Sequence, residues 1–120
     1  MSQKTALIVE DDKDEGVLFS KALELAGFKT EIIWAGDAAL EKLAAEVPDM
    51  VLLDLHLPRI SGIEILSQIR ADPRLDKVRV IVITGDPEKA EVVEEADVVL
   101  VKPTRFDQLR DEAENLFDEE

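Results

Sequence analysis

The sequence has no cysteine, which excludes disulfides, thiolate chemistry and Cys-zinc sites. It has no long apolar run either. The longest are only a few residues, too short for a membrane-spanning helix, so no membrane insertion is expected. Met1-Ser2-Gln3-Lys4 leads straight into one of them without the core of a signal peptide, and the cytoplasm is the expected compartment. Positive charge is scarce: 14 Lys and Arg face 28 Asp and Glu, a net charge of −14. Such a chain repels phosphate backbones, so no direct nucleic-acid binding is expected; it favours metal cations or a partner with a basic patch. Tyrosine is absent, and histidine and tryptophan occur once each, as His56 and Trp34. Neither repeats nor low-complexity tracts interrupt the 120 residues, which fit a single domain over residues 1–120.

What is present is a regular alternation. Ala6-Leu7-Ile8-Val9, Met50-Val51-Leu52-Leu53, Val80-Ile81-Val82-Ile83 and Val98-Val99-Leu100-Val101 are short, apolar and mostly β-branched or leucine. Runs of this kind are strands buried on both faces of a parallel sheet. Thr30-Glu31-Ile32-Ile33-Trp34 is a weaker fifth. Between and after them, spacings of three and four residues predict helices. Their expected inner faces are Leu18, Ala22 and Leu25; Leu40, Leu43, Ala44 and Val47; Ile65, Leu66 and Ile69; and Phe106, Leu109, Ala113 and Leu116. The segment from Pro87 to Glu95 has only Ala90, Val92, Val93 and Ala96 to bury, which predicts a short helix. Asp12 with Glu15 has capping-box spacing, Gly27 suits a helix C′ position, and Asp86-Pro87 opens a helix. Asp72-Pro73 marks a stop, and Thr104 is placed to cap the last helix. Five β-α repeats imply an α/β fold, with a parallel sheet between two layers of helices.

Ligands of open parallel sheets bind beyond the carboxyl ends of the strands. Glu10-Asp11-Asp12 follow the first strong strand, Asp54 the second, Thr84 the third and Lys102 the fourth. Singly, each has an ordinary explanation: a helix cap, a turn residue, a strand-end hydroxyl, a solvated charge. Together they fall on one edge of one sheet. Carboxylates about 5 Å apart at an effective dielectric of about 20 repel by roughly 3 kcal/mol per pair. A hard divalent cation relieves that strain, and carboxylate and carbonyl oxygens suit Mg²⁺. Asp54 is then a candidate nucleophile for a phosphoryl group, with Lys102 and Thr84 as partners for its oxygens.

The motifs Leu7-Ile8-Val9-Glu10-Asp11-Asp12, Leu53-Asp54-Leu55-His56-Leu57-Pro58 with Ser61-Gly62, Ile83-Thr84-Gly85 and Val101-Lys102-Pro103 resemble those of the response-regulator receiver family, across nearly the whole chain. The resemblance implies a flavodoxin-like three-layer α/β/α fold with five helices and strand order 2-1-3-4-5. It implies Asp54 as phosphoacceptor and metal ligand, Asp11 as a direct Mg²⁺ ligand, Glu10 as a ligand mainly through water, and the His56 backbone carbonyl as another. Thr84 and Lys102 would contact the phosphoryl group, and Lys102-Pro103 is often cis in the family. The donor would be a phosphohistidine on a sensor histidine kinase or a histidine phosphotransfer protein. Such a module catalyses its own phosphorylation and dephosphorylation but is not a turnover enzyme.

Two departures from the family pattern concern the readout. The position three before the lysine, often an inward-swinging aromatic, is Val99, and the stretch from Thr84 to Lys102 is short, trimming the fourth helix. Output through another face, such as altered homodimer formation, is one expectation. A receiver-fold interaction module that works without phosphorylation is the alternative. An aspartyl-phosphate phosphatase would need a second Asp two residues after the nucleophile, where this chain has His56. His56 is expected to serve through its backbone, with its side chain and Asp86 tuning hydrolysis. Trp34 is expected to pack while partly exposed.

Overall fold

A computed structural model describes residues 3–90 and 94–117. Five strands alternate with helices in chain order: β1 (Lys4–Val9), α1 (Lys13–Leu25), β2 (Phe28–Ile33), α2 (Gly36–Ala45), β3 (Met50–Asp54), α3 (Gly62–Ala71), β4 (Arg79–Thr84), α4 (Pro87–Ala90), β5 (Val98–Val101) and α5 (Phe106–Phe117). A single 3-10 turn, Pro73–Leu75, follows α3. All strand pairs are parallel, in the order β2-β1-β3-β4-β5. This is the flavodoxin-like α/β/α sandwich expected from the alternation and the family motifs.

The period of two along each strand divides the core into two layers. Leu7, Val9, Val51, Leu53, Val80 and Val82 face α2 and α3, where Ala39, Leu43, Ile65, Leu66 and Ile69 meet them. Ala6, Ile8, Met50, Leu52, Ile81 and Ile83 face α1 and α5, against Phe19, Leu23, Leu109 and Ala113. The central strand β3 is buried along its whole length, which is why it reads as an unbroken apolar run.

The local signals hold at most boundaries. The Asp12 carboxylate accepts from the Glu15 N–H at 3.0 Å, Gly27 takes φ +102°, and Asp86 accepts from the Glu88 N–H at 3.0 Å. Asp72 closes α3 and caps the 3-10 turn. The expected inner faces of α3 and α5 are buried or half-buried. Lys102-Pro103 is cis.

Three expectations are corrected. In α1 the buried residues are Gly16, Phe19, Ala22 and Leu23, whereas Leu18 and Leu25 are 43% and 66% exposed. Both stripes have helical spacing. The sheet selects the one whose small residue admits close approach: a Cβ on Gly16 would lie 3.1 Å from the Trp34 ring and 3.3 Å from Ile32. Leu43 is buried and Leu40 half-buried as expected, but Ala44 and Val47 are exposed. The helix ends at Ala45, Glu46 is already extended, and Pro48 disfavours helical backbone at Val47. Thr104 does not cap α5; its hydroxyl donates to the Val101 carbonyl at 3.2 Å, and α5 starts at Phe106. None of the four residues of α4 is buried, and Val92 and Val93 lie outside the described residues.

Candidate functional site

The strand order sets β1 beside β3, so their connections leave in opposite directions and open a crevice at their carboxyl ends. Glu10 follows β1, Asp54 ends β3, Thr84 ends β4 and Lys102 follows β5. The backbone fixes these positions: the Glu10 N–H donates to the Ile33 carbonyl at 3.1 Å and the Lys102 N–H to the Thr84 carbonyl at 2.8 Å. Glu10, Asp54 and Thr84 are the buried polar residues of the chain's described part, with 1%, 4% and 2% exposure. Burial of two carboxylates side by side is costly unless their charge is compensated.

Lys102 supplies part of that compensation. Its Nζ lies 3.2 Å from Asp54 Oδ2, 3.5 Å from Glu10 Oε1 and 2.9 Å from Glu15 Oε2. The other oxygens meet backbone donors. Asp54 Oδ1 accepts from the His56 N–H at 2.9 Å, and Glu10 Oε2 accepts from the Asp12 N–H at 3.1 Å. The Thr84 hydroxyl accepts from the Asp86 N–H at 3.1 Å, which leaves its own proton free to be donated.

One lysine does not neutralise the group. Burial pushes the Glu10 carboxyl up to about 8, reinforced by its hydrogen bond with Asp54 and that residue's charge; the Asp12 N–H and Lys102 oppose the rise. Burial by itself would lower the pKa of Lys102, but the hydrogen bond to Glu15 and the charges of Asp54 and Glu10 override it and raise it. The site therefore carries surplus negative charge that is either protonated or met by another cation.

The start of α3 braces the acceptor from behind. A Cβ on Gly62 would collide with the Asp54 carbonyl oxygen and come within 2.6 Å of Leu55 Cα. Glycine is needed here for close approach, and Ser61 caps the helix by accepting from the Glu64 N–H.

The fold brings Glu10, Asp54, Thr84 and Lys102 to one edge. Asp11, next to Glu10 in the chain, is exposed and is not one of the clustered carboxylates, and His56 joins through its N–H while its side chain is exposed. Val99 is half-buried and packs against the α2/α3 core layer. Trp34 is 43% exposed and covers Gly16. The residue that sequence reading missed is Glu15. Oxygens of Glu10, Glu15 and Asp54 lie within 4.8 Å of one another, the spacing of a cation site. Capping-box spacing accounts for only half of the role of Glu15. Its N–H does donate to Asp12, but its carboxylate turns to Lys102, and Glu10 takes the Asp12 N–H that the box would have used.

An acidic pocket around a strand-end aspartate, with a lysine and a hydroxyl from neighbouring strands, on a sheet of order 2-1-3-4-5, defines a receiver module. The chain belongs to the response regulator receiver domain family, whose match covers residues 6–114. That family accepts phosphoryl groups in two-component signalling. The chain is 35% identical over 122 residues to the probable methanogenesis regulatory protein FilR2 of Methanothrix harundinacea, covering 92% of this chain and 79% of that one. It is 36% identical over 100 residues to the phosphate regulon transcriptional regulatory protein PhoB of Rhizobium meliloti. That match covers 80% of this chain but 44% of PhoB, so this chain spans less than half of that longer relative. Among solved structures, response regulator protein TrrA of Thermotoga maritima, in complex with Mg(2+)-BeF, is similar at a TM-score of 0.85 and 28% identity, covering 95% of this chain and 99% of that chain. Among the described residues no helix is long and apolar enough to cross a membrane.

Proposed function

We propose that Asp54 is the residue phosphorylated in this receiver, and that residues 1–120 act as one phosphoryl-accepting domain. The observation that carries this reading is the Asp54 carboxylate itself. It is buried at the end of β3, held at one oxygen by the His56 N–H and at the other by Lys102. In the transfer, an Asp54 oxygen forms the bond to phosphorus as the donor's bond to phosphorus breaks, and the electron pair leaves with the donor group. Lys102 and the free Thr84 proton receive the equatorial oxygens, so the chain works by positioning and charge stabilisation. The donor is a phosphohistidine of a sensor kinase or phosphotransfer protein. The domain turns over only its own phosphoryl group, and the cytoplasm is its proposed compartment.

The donor set fits a hard divalent cation. Glu10, Glu15 and Asp54 offer oxygen atoms alone, Glu10 and Asp54 are buried, and burial raises the Glu10 carboxyl to about 8, so a cation there competes with a proton. Glu10, Asp11, Asp54 and the His56 carbonyl would hold Mg²⁺. When bound, Mg²⁺ would offset the charge of the arriving phosphoryl group.

Incubation with acetyl phosphate and Mg²⁺, followed by intact mass measurement, should add one phosphoryl group to the native chain and none to Asp54→Asn. Continued labelling of Asp54→Asn would remove Asp54 from its assigned role.

Val99 supports a second reading, a receiver whose partner binding ignores phosphorylation, because no aromatic stands at that half-buried position to report the modification. Equal partner affinity with and without beryllofluoride would favour it. Equal dimerisation in both states would count against a homodimer output.

A further inference from the structure

Lys102 has one partner more than the phosphoryl chemistry uses. An ammonium group has three N–H donors. In this chain all three have a carboxylate: Glu15 at 2.9 Å, Asp54 at 3.2 Å and Glu10 at 3.5 Å. The shortest contact is to Glu15, which comes from the first turn of α1 and not from a strand end. A phosphoryl oxygen at Asp54 is a further acceptor for a lysine whose donors already have partners, so it competes with them. Glu10 and Asp54 are fixed by burial and by backbone donors. The Glu15 side chain is 35% exposed, and among the described residues its carboxylate pairs with Lys102 alone, so water can take its place.

We propose that Glu15 is a positioning residue that acts through Lys102, a releasable latch that occupies the lysine until a phosphoryl group competes for it. The latch opposes phosphorylation because it holds a donor for which the phosphoryl group competes. The inference rests on Asp54 being the acceptor. Glu15 itself touches no reacting atom. Its N-cap contribution uses its backbone N–H, so changing the side chain leaves that hydrogen bond to Asp12 in place.

The test uses Glu15→Gln, which keeps the size and removes the charge. Ion pairs of this exposure are worth up to about 1 kcal/mol, or about fivefold in an equilibrium constant. Glu15→Gln should therefore bind beryllofluoride about three- to fivefold more tightly, at fixed Mg²⁺, and gain a similar factor in its rate of phosphorylation by acetyl phosphate. In a Lys102→Met background the same substitution should change neither. Glu15→Asp keeps the charge but is one methylene short of the lysine, and should behave like Glu15→Gln. No gain in Glu15→Gln overturns the latch. So does a gain that persists without Lys102, or a Glu15→Asp variant indistinguishable from the native chain, since either would mean that charge at a distance and not contact is responsible. Asp54→Asn separates the two failures. If it still labels, the acceptor assignment and the latch fall together; if it does not label and Glu15→Gln changes nothing, only the latch falls.

Discussion

Replacing Lys102 by methionine tests how the buried charges are balanced. Methionine keeps an unbranched side chain of similar length and removes only the ammonium. At an effective dielectric of about 20, the pairs at 3.2 Å to Asp54 and 3.5 Å to Glu10 are each worth about 5 kcal/mol of gross attraction. Glu10 and Asp54, with oxygens inside 4.8 Å, repel by about 3.5 kcal/mol or more when both are charged. The variant does not lose all of this. Burial holds the Glu10 carboxyl up at about 8, so below that pH part of its attraction to Lys102 is already given up to its proton. The burial cost of the ammonium also disappears with it. What remains is chiefly the stranded charge of Asp54, a net loss of about 2–4 kcal/mol. For a domain of this size that lowers the melting temperature by about 10 °C. Thermal unfolding in EDTA reads this directly. Millimolar Mg²⁺ should then raise the melting temperature of Lys102→Met more than that of the native chain, because no resident ammonium has to be outcompeted. A loss below about 1 kcal/mol in EDTA, or a deficit that Mg²⁺ leaves unchanged, would refute the charge balance argued from these distances.

The other predictions concern the brace and the proton. Gly62→Ala drives a methyl into the Asp54–Leu55 backbone and should cost about 3 kcal/mol in urea unfolding, with slower acetyl phosphate labelling of the survivors; a neutral effect would mean that α3 can shift freely. The raised pKa of Glu10 has a definite sign. Between its unfolded value of 4.5 and about 8 the folded chain binds more protons than the unfolded one. This contribution to stability is complete below the lower value and is lost as pH rises through the upper one, so the metal-free chain should melt lower at pH 8 than at pH 6. Glu10→Gln should flatten that slope, and a slope unchanged by the substitution would assign it to other groups. Calorimetry in buffers of different ionisation heat should find a proton released on Mg²⁺ binding below pH 8.

How much of this was legible in the sequence depends on the range over which each residue's role is decided. Asp54, Thr84 and Lys102 could be found because a parallel sheet places strand ends together, and strands buried on both faces announce themselves as apolar runs. Gly27 and Asp12 could be found because a helix end is settled by its own few residues. The inner face of α1 could not. Leu18-Ala22-Leu25 and Phe19-Ala22-Leu23 have equal claims by spacing, and the choice between them is made by Ile32 on β2 and Trp34 just after it. Thr104 failed for a like reason, its hydroxyl being taken by the carbonyl that ends β5. Glu15 is the sharpest case. Capping-box spacing is a sufficient local reason for it, and its backbone N–H does serve the cap, which is half of its role. The other half was decided by a lysine 87 residues away, drawn in by two buried carboxylates that needed it more. A side chain with a sufficient local role can still serve a distant partner, and in a site that carries surplus negative charge an extra carboxylate on the lysine is the contact with the most to say about how readily that lysine is released.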